Sequence, residues 1–219
     1  MIRNYLISAI ILVIFSSCSE KPTFIIDGRV PDKLSEGSKI YLVALDAPIT
    51  RNVDSTVVVD GTFTFRVKAD STLAKILRLP LRLSNMTEDL VVITEPGTIH
   101  ATIAARSFGG GTRLNDRLQQ WKENKNKYDS LQGAIFAGRD LQSMKKKDVD
   151  SLIAVANGMR DSFMPAVRNL INDNVNNGIG LLLFKVYYDL LPNEFRASVD
   201  KSTGGKYYRK DAQLRNMRK

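Results

Sequence analysis

The side chains able to act as acids, bases, nucleophiles or metal ligands are few in this sequence. It contains one histidine, His100, and one cysteine, Cys18. A catalytic triad or a histidine metal centre therefore has at most one histidine to draw on. His100 lies in a predicted strand, between two threonines of the same parity, and we expect it to face water.

Three carboxylates flank one predicted strand and could pair as a general acid and base: Glu88, Asp89 and Glu95. Carboxylates beside turns are usually just solvated, and we expect that here. Three other carboxylates lack the close alternating spacing of a calcium-binding loop: Asp46, Asp54 and Asp60. We therefore expect no catalytic residues, no cofactor and no metal site.

Two further patterns are ambiguous. The glycine run 109–111 has no Lys-Ser/Thr behind it, so we interpret it as a flexible turn into a helix rather than a phosphate-binding loop. The pair Tyr187-Tyr188 lies in an apolar segment and is expected in the core. The pair Tyr207-Tyr208 lies in a basic segment, where stacking on sugars or bases stays open.

Cys18 follows a short apolar segment and two serines, which is the pattern of a bacterial lipoprotein processing site. The apolar segment, residues 6–15, is too short to span a membrane, which takes about 20 residues. Together with Arg3 it is typical of a signal peptide. The pattern predicts a signal peptide at 1–17, lipid on Cys18 and a tether at 18–23. The alternatives are an ordinary cleaved signal or a short N-terminal anchor with an incidental cysteine.

Lipid on Cys18 would attach the protein to the bacterial cell envelope, and we expect the outer rather than the inner membrane. It would also consume the one thiol, which excludes a disulfide, a Cys-x-x-C pair and a cysteine-bound zinc. The net charge is +9, and residues 201–219 hold seven basic and one acidic side chains. Such a tail could bind anionic lipid or an acidic partner. We favour a solvated, frayed terminus and expect no nucleic acid as partner.

The first half of the chain is predicted to be β-rich. Asp60-Gly61 separates two runs of strand-forming residues, which is a strong hairpin signal. Turn residues separate seven predicted strands in residues 24–107, at 24–30, 39–45, 53–59, 62–67, 73–83, 90–94 and 98–104. This pattern favours an antiparallel β-sandwich.

The second half is predicted to be helical over residues 112–200. One helix begins after Thr112, and its predicted inner face is Leu114, Leu118, Trp121, Tyr128, Leu131 and Ile135. A second helix carries an apolar seam from Val149 to Leu170, which Pro165 should kink or break. An apolar helix from Ile179 and a short helix after Pro192 follow. The predicted fold class is therefore α+β: a sandwich of about seven strands, then a helical lobe, then the basic tail 201–219.

Several segments together resemble the "domain of unknown function 4369" of Bacteroides-type lipoproteins. Their order and spacing carry the likeness over residues 24–200: 24–30, 39–42, 54–65, Glu95-Pro96-Gly97 with Ile99, 111–115 and 177–180. In many relatives this module precedes a thioredoxin-like domain that does thiol–disulfide chemistry. The resemblance implies the accessory module without its enzyme, because the redox step needs a Cys-x-x-C pair.

These observations lead to a functional expectation. We expect an envelope-anchored lipoprotein that acts as a non-catalytic interaction or ligand-binding module, with an envelope protein as a possible partner. The alternative is an accessory subunit for thiol–disulfide exchange by a separate thioredoxin-like protein.

Overall fold

A computed structural model describes residues 23–45, 54–68, 72–80, 86–202, 208 and 211–217. The predicted signal peptide, Cys18, Asp46 and Tyr207 lie outside the described residues, as do residues 81–83 of one predicted strand. Thr23, assigned to the tether from the sequence, begins the first strand. Among the described residues, no helix is long and apolar enough to cross a membrane.

Within the described ranges, eight strands precede the helices. They are β1 (Thr23–Arg29), β2 (Lys39–Ala44), β3 (Asp54–Val57), β4 (Thr62–Lys68), β5 (Ala74–Arg78), β6 (Leu90–Ile93), β7 (Gly97–Thr102) and β8 (Phe108–Gly110). The helices are α1 (Arg113–Phe136), α2 (Lys146–Asp173), α3 (Gly178–Val186), α4 (Asn193–Ser202) and α5 (Ala212–Met217). Short 3₁₀ turns lie at Lys33–Ser35 and Tyr188–Leu190.

The strands form two four-stranded sheets, ordered β4-β1-β7-β8 and β3-β2-β5-β6. The α+β class is therefore confirmed, but the sheets are not wholly antiparallel, because β1 and β7 pair in parallel. The tight turn at Asp60-Gly61 is confirmed, since these residues have φ of 50° and 68° and Val59 and Thr62 bridge across it. The longer hairpin is wrong, because β3 and β4 then diverge into different sheets. The carboxylate of Glu36 accepts hydrogen bonds from both turn amides.

Two hydrophobic clusters hold the molecule together. The sheet cluster contains inward-facing residues of both sheets, among them Phe24, Ile40 and Leu77. The helical cluster lies on the other face of β6, where Ile93 packs with residues of α1, α2 and α3. Along β6, alternate side chains therefore enter different clusters, which follows from the period of two in a strand. Val92 belongs to the sheet cluster and Ile93 to the helical cluster.

The glycine run contains a strand rather than a turn, so our interpretation of it was wrong. β8 follows residue 107, the predicted end of the β domain, and pairs with β7. Its glycines allow close packing: a Cβ on Gly109 would lie 3.1 Å from Leu90, and one on Gly110 would lie 2.8 Å from Asp116. Gly111, at φ 98°, then turns the chain into α1.

The helices differ from the sequence prediction in two places. Pro165 lies inside α2, and the helix continues across it to Asp173, so of the predicted kink or break the break is wrong, and the kink stays a prediction. Leu131, assigned to the inner face of α1, is 60% exposed. The seam of α2 is confirmed, since none of its residues is exposed and Val167 is fully buried.

The described part of the tail is packed, not solvated, which corrects the interpretation of residues 201–219 as a frayed terminus. Tyr208 and Leu214 are fully buried in the helical cluster. The Tyr208 ring meets Phe184 edge-on, with the ring centroids 5.2 Å apart. Lys185 of α3 binds Asp211 at 3.1 Å, and both side chains are at least nine-tenths buried. Tyr208 and residues 211–217 of the tail are therefore part of the helical lobe.

Candidate functional site

A cleft of about 350 Å³ lies between β6 and the helices α1 and α3. We call it the β6 cleft. Its walls combine apolar side chains with a polar rim. The apolar residues are Leu90, Val91, Leu118, Trp121, Leu182 and Val186, and the rim residues are Glu88, Asp89, Asn115, Gln119, Lys122, Lys125, Asn126 and Asp129. A cleft of this composition is the usual form of a small-ligand or segment-binding site.

One end of the cleft is fixed by the start of α1. Thr112 stands at the N-cap, as the sequence predicts, but its side chain makes no capping bond. Glu95 caps the helix instead. Its Oε1 accepts hydrogen bonds from the backbone N–H of Leu114 at 2.6 Å and from Asn115 at 3.2 Å. A carboxylate is favoured at a helix N-terminus because it meets unpaired N–H groups and the positive end of the helix dipole.

Asn115 then closes the edge of β6 in the way that another strand would. Its Oδ1 accepts from the N–H of Ile93, and its Nδ2 donates to the C=O of Ile93, both at 2.8 Å. Asn115 is 2% exposed, so these bonds are shielded from water. One turn later, Gln119 accepts a bond from the N–H of Gly109 on β8. α1 thus covers parts of two sheet edges with side-chain amides.

The other end of the cleft is fixed by an ion pair. Lys122 binds Glu88 at 2.9 Å and donates to the C=O of Ser107 at 2.7 Å. The remaining rim charges are also paired: Asp89 with Arg78 at 2.6 Å, and Lys125 with Asp129 at 2.5 Å. Every charged residue of the rim therefore has an opposite partner, and the rim offers no excess charge to a ligand.

Trp121 lines the helical side of the cleft and belongs to a group of aromatic side chains in the helical lobe. Trp121 meets Tyr187 edge-on, and Phe163 stacks on Tyr128 with the ring centroids 4.3 Å apart. Burial raises the pKa of Tyr187 well above its usual range, and the nearby negative charge of Asp129 raises it further. The hydroxyl of Tyr187 therefore stays neutral. Trp121 Nε1 and the Tyr187 hydroxyl are buried without a hydrogen-bond partner among the described residues.

The candidate catalytic residues do not assemble into a site. His100 lies on the outer face of the other sheet with its side chain 65% exposed, which confirms that it faces water, and its Nδ1 is 3.9 Å from Asp27. Glu88, Asp89 and Glu95 are each engaged by a cation or by backbone N–H groups, so the expectation of simple solvation was wrong. No cluster of three metal-ligating side chains occurs in the described ranges.

Two residues central to the cleft have weak signals in the sequence. Asn115 is a polar residue on an amphipathic helix, where its edge-capping role depends on a strand 22 residues earlier. Trp121 is predicted on the inner face of α1, but nothing local says that its N–H lacks a partner. A larger groove of about 780 Å³ adjoins the cleft along α1 and shares Gln119, Lys122 and Asn126 with it.

The fold and the cleft define a class: an α+β protein with two sheets, a helical lobe and a cleft at a sheet edge. Residues 24–118 match the family model described as "Domain of unknown function (DUF4369)". The match covers all eight strands and the first turns of α1, including Glu95 and Asn115, and ends before α2. The match therefore supports the resemblance to this family for residues 24–118 and does not extend it to residue 200. No curated protein and no solved structure matches the chain.

Proposed function

We propose that this protein is a lipid-anchored, non-catalytic binding module of the bacterial cell envelope, and that it holds its partner or ligand in the β6 cleft. The observation that carries this proposal is the composition of the cleft. Apolar walls favour burial of apolar surface at about 25 cal/mol per Å². A rim whose charges are already paired gives no reason to select a charged ligand.

The engagement of the carboxylates supports a binding role over a catalytic one. A general acid or base must reach the proton that it transfers, with a pKa suited to the task. Here Glu95 is committed to capping α1, and Glu88 is held by Lys122 and by the N–H of Ser107. His100 is on another face of the molecule.

The anchor is tested by changing Cys18 to alanine. We expect this variant to lose labelling by radioactive palmitate and to leave the membrane fraction, because the sulfur that would carry the lipid is gone. Ser17→Ala is the matched control and should keep both properties. Unchanged labelling of the Cys18→Ala protein would contradict the proposal for the anchor.

The cleft is tested by crosslinking in intact cells. A photoreactive amino acid in place of Val186, which lines the cleft and is 56% exposed, should trap a partner or ligand. The control is the same amino acid in place of Val57, an exposed valine on β3 at the opposite edge of the same sheet. We expect adducts at position 186 and few at position 57, as read by mass spectrometry.

The identity of the adduct separates the two functional hypotheses. Capture of a thioredoxin-like protein at position 186 would favour the accessory role in thiol–disulfide exchange. Equal adducts at positions 186 and 57 would argue against the cleft as the binding site. Turnover of a substrate by the purified protein, lost on mutation of Glu88 or Asp89, would overturn the non-catalytic assignment.

A further inference from the structure

The β6 cleft contains part of an unpaired sheet edge. β6 is the last strand of its sheet and pairs with β5 on one side only. Ile93 directs both its N–H and its C=O away from β5, since both bind the side chain of Asn115. In a strand, these groups point to the same side at every second residue. The N–H and C=O of Val91 therefore also point away from β5.

Pairing on the other side of β6 agrees with this assignment. The N–H of Thr94 donates to the C=O of Leu73 on the β5 side, at 2.8 Å, so the even-numbered residues of β6 face β5. The side chains of Asp89 and Arg78 meet at 2.6 Å, which extends the same register by one residue beyond the strand. Asp89 therefore directs its own N–H and C=O to the same side as Val91.

Asn115 covers this edge only at Ile93. Farther along β6, Asp89 and Val91 line the cleft, and α1 reaches the strand again where Lys122 binds Glu88. Among the described residues, the outward N–H and C=O of Val91 have no hydrogen-bond partner. The cleft thus combines an apolar wall with main-chain donors and acceptors spaced two residues apart.

We propose that the ligand of the β6 cleft is an extended polypeptide segment that adds to β6 as a further strand. This inference rests on the proposed binding function. An extended main chain supplies a C=O and an N–H at the spacing that Val91 and Asp89 present. A purely apolar ligand would fill the same volume but leave these main-chain groups unpaired, at an energetic cost.

The walls of the cleft also set the side chains that the segment must carry. A residue opposite Val91 points to the same side of the sheet as Val91, toward Leu182 and Val186. This position favours an apolar residue. Its two neighbours point to the opposite side, where Gly109 packs so closely on Leu90 that a Cβ would lie at 3.1 Å. Small residues are favoured there, and the paired rim charges favour a segment without net charge.

The experiment uses the full-length protein and a displayed library of random twelve-residue peptides. The tightest peptide is titrated by fluorescence anisotropy against the wild type, Val91→Pro, Val91→Ala and Val186→Arg. Proline removes the N–H that faces the cleft, but it removes no bond to β5, and an outward edge position tolerates it. Alanine shortens the side chain and keeps the N–H. We expect Val91→Pro to weaken binding roughly tenfold or more and Val91→Ala by less than about threefold.

Hydrogen exchange gives a second measurement that needs no variant. The amides of Asp89 and Val91 should exchange more slowly in the wild-type protein when the peptide is bound, whatever the stability of Val91→Pro. Equal binding by the proline and alanine variants, with unchanged exchange at both amides, would overturn strand addition. If Val186→Arg still abolished binding in that case, the cleft would stand as the site and only strand addition would fail. The absence of any peptide that is sensitive to Val186→Arg would overturn both.

Discussion

Changing Tyr208 to alanine should lower the free energy of unfolding by about 3–5 kcal/mol, the usual range for removing a large buried aromatic side chain. Tyr208 is fully buried and packs edge-on against Phe184. Its hydroxyl lies close to α3, since a Cβ on Gly180 would be 3.0 Å from it. The substitution removes the ring and leaves a cavity in the helical cluster, which neighbouring residues can fill only in part.

Urea denaturation followed by far-ultraviolet circular dichroism measures this effect. Arg215→Ala is the matched control, because Arg215 is an exposed residue of the same terminal segment, and its change should stay within about 0.5 kcal/mol. Equal stability of the two variants would mean that the terminal segment does not pack against α3 in solution. Coincident transitions by tryptophan fluorescence would confirm that a two-state treatment applies.

Changing Asn115 to leucine should lower the free energy of unfolding by about 2–6 kcal/mol. Leucine has nearly the same size but cannot bond to Ile93, so the N–H and C=O of Ile93 lose their partners. Each buried polar group left unpaired costs about 1–3 kcal/mol. The amide of Ile93 should also exchange faster with deuterium, which localises the effect to the edge of β6.

Asn124→Leu provides the control for this substitution. It makes the same chemical change on the same helix, at a residue that is exposed. A change within about 0.5 kcal/mol is expected there. If Asn115→Leu were as mild as Asn124→Leu, the side-chain amide would not be an essential cover for β6, and the geometry of the cleft would need another cause.

Local signals were sufficient for much of the fold. The Asp60-Gly61 turn follows from two adjacent residues whose positive φ few other pairs accept. The seven predicted strands exist because their alternation is local and repeated. The seam of α2 follows from spacing within one helix. In each case the determining residues are neighbours in the sequence, so no knowledge of distant partners is required.

The sequence predictions fail where contacts with residues distant in the sequence determine the local structure. The three residues of β8 form a strand because they pair with β7. A glycine-rich segment does not by itself indicate a strand. Tyr208 lies in a basic segment whose composition suggests solvation, yet Phe184 and α3 bury it. Asn115 looks like an ordinary polar helix residue until Ile93 is placed beside it. The candidate binding site could not be predicted, because every wall of the cleft comes from a different element.

The two clusters become complete at different points of the chain. All residues of the sheet cluster lie between Phe24 and Ile103. The helical cluster includes Leu214 and cannot close until that residue has been synthesised. When a chain emerges from its N-terminus, segments fold as their residues become available. The sheets can therefore collapse early, while the face of β6 that carries Ile93 stays uncovered until the helices that pack on it have emerged. During that interval this face is open to chaperones and to other chains.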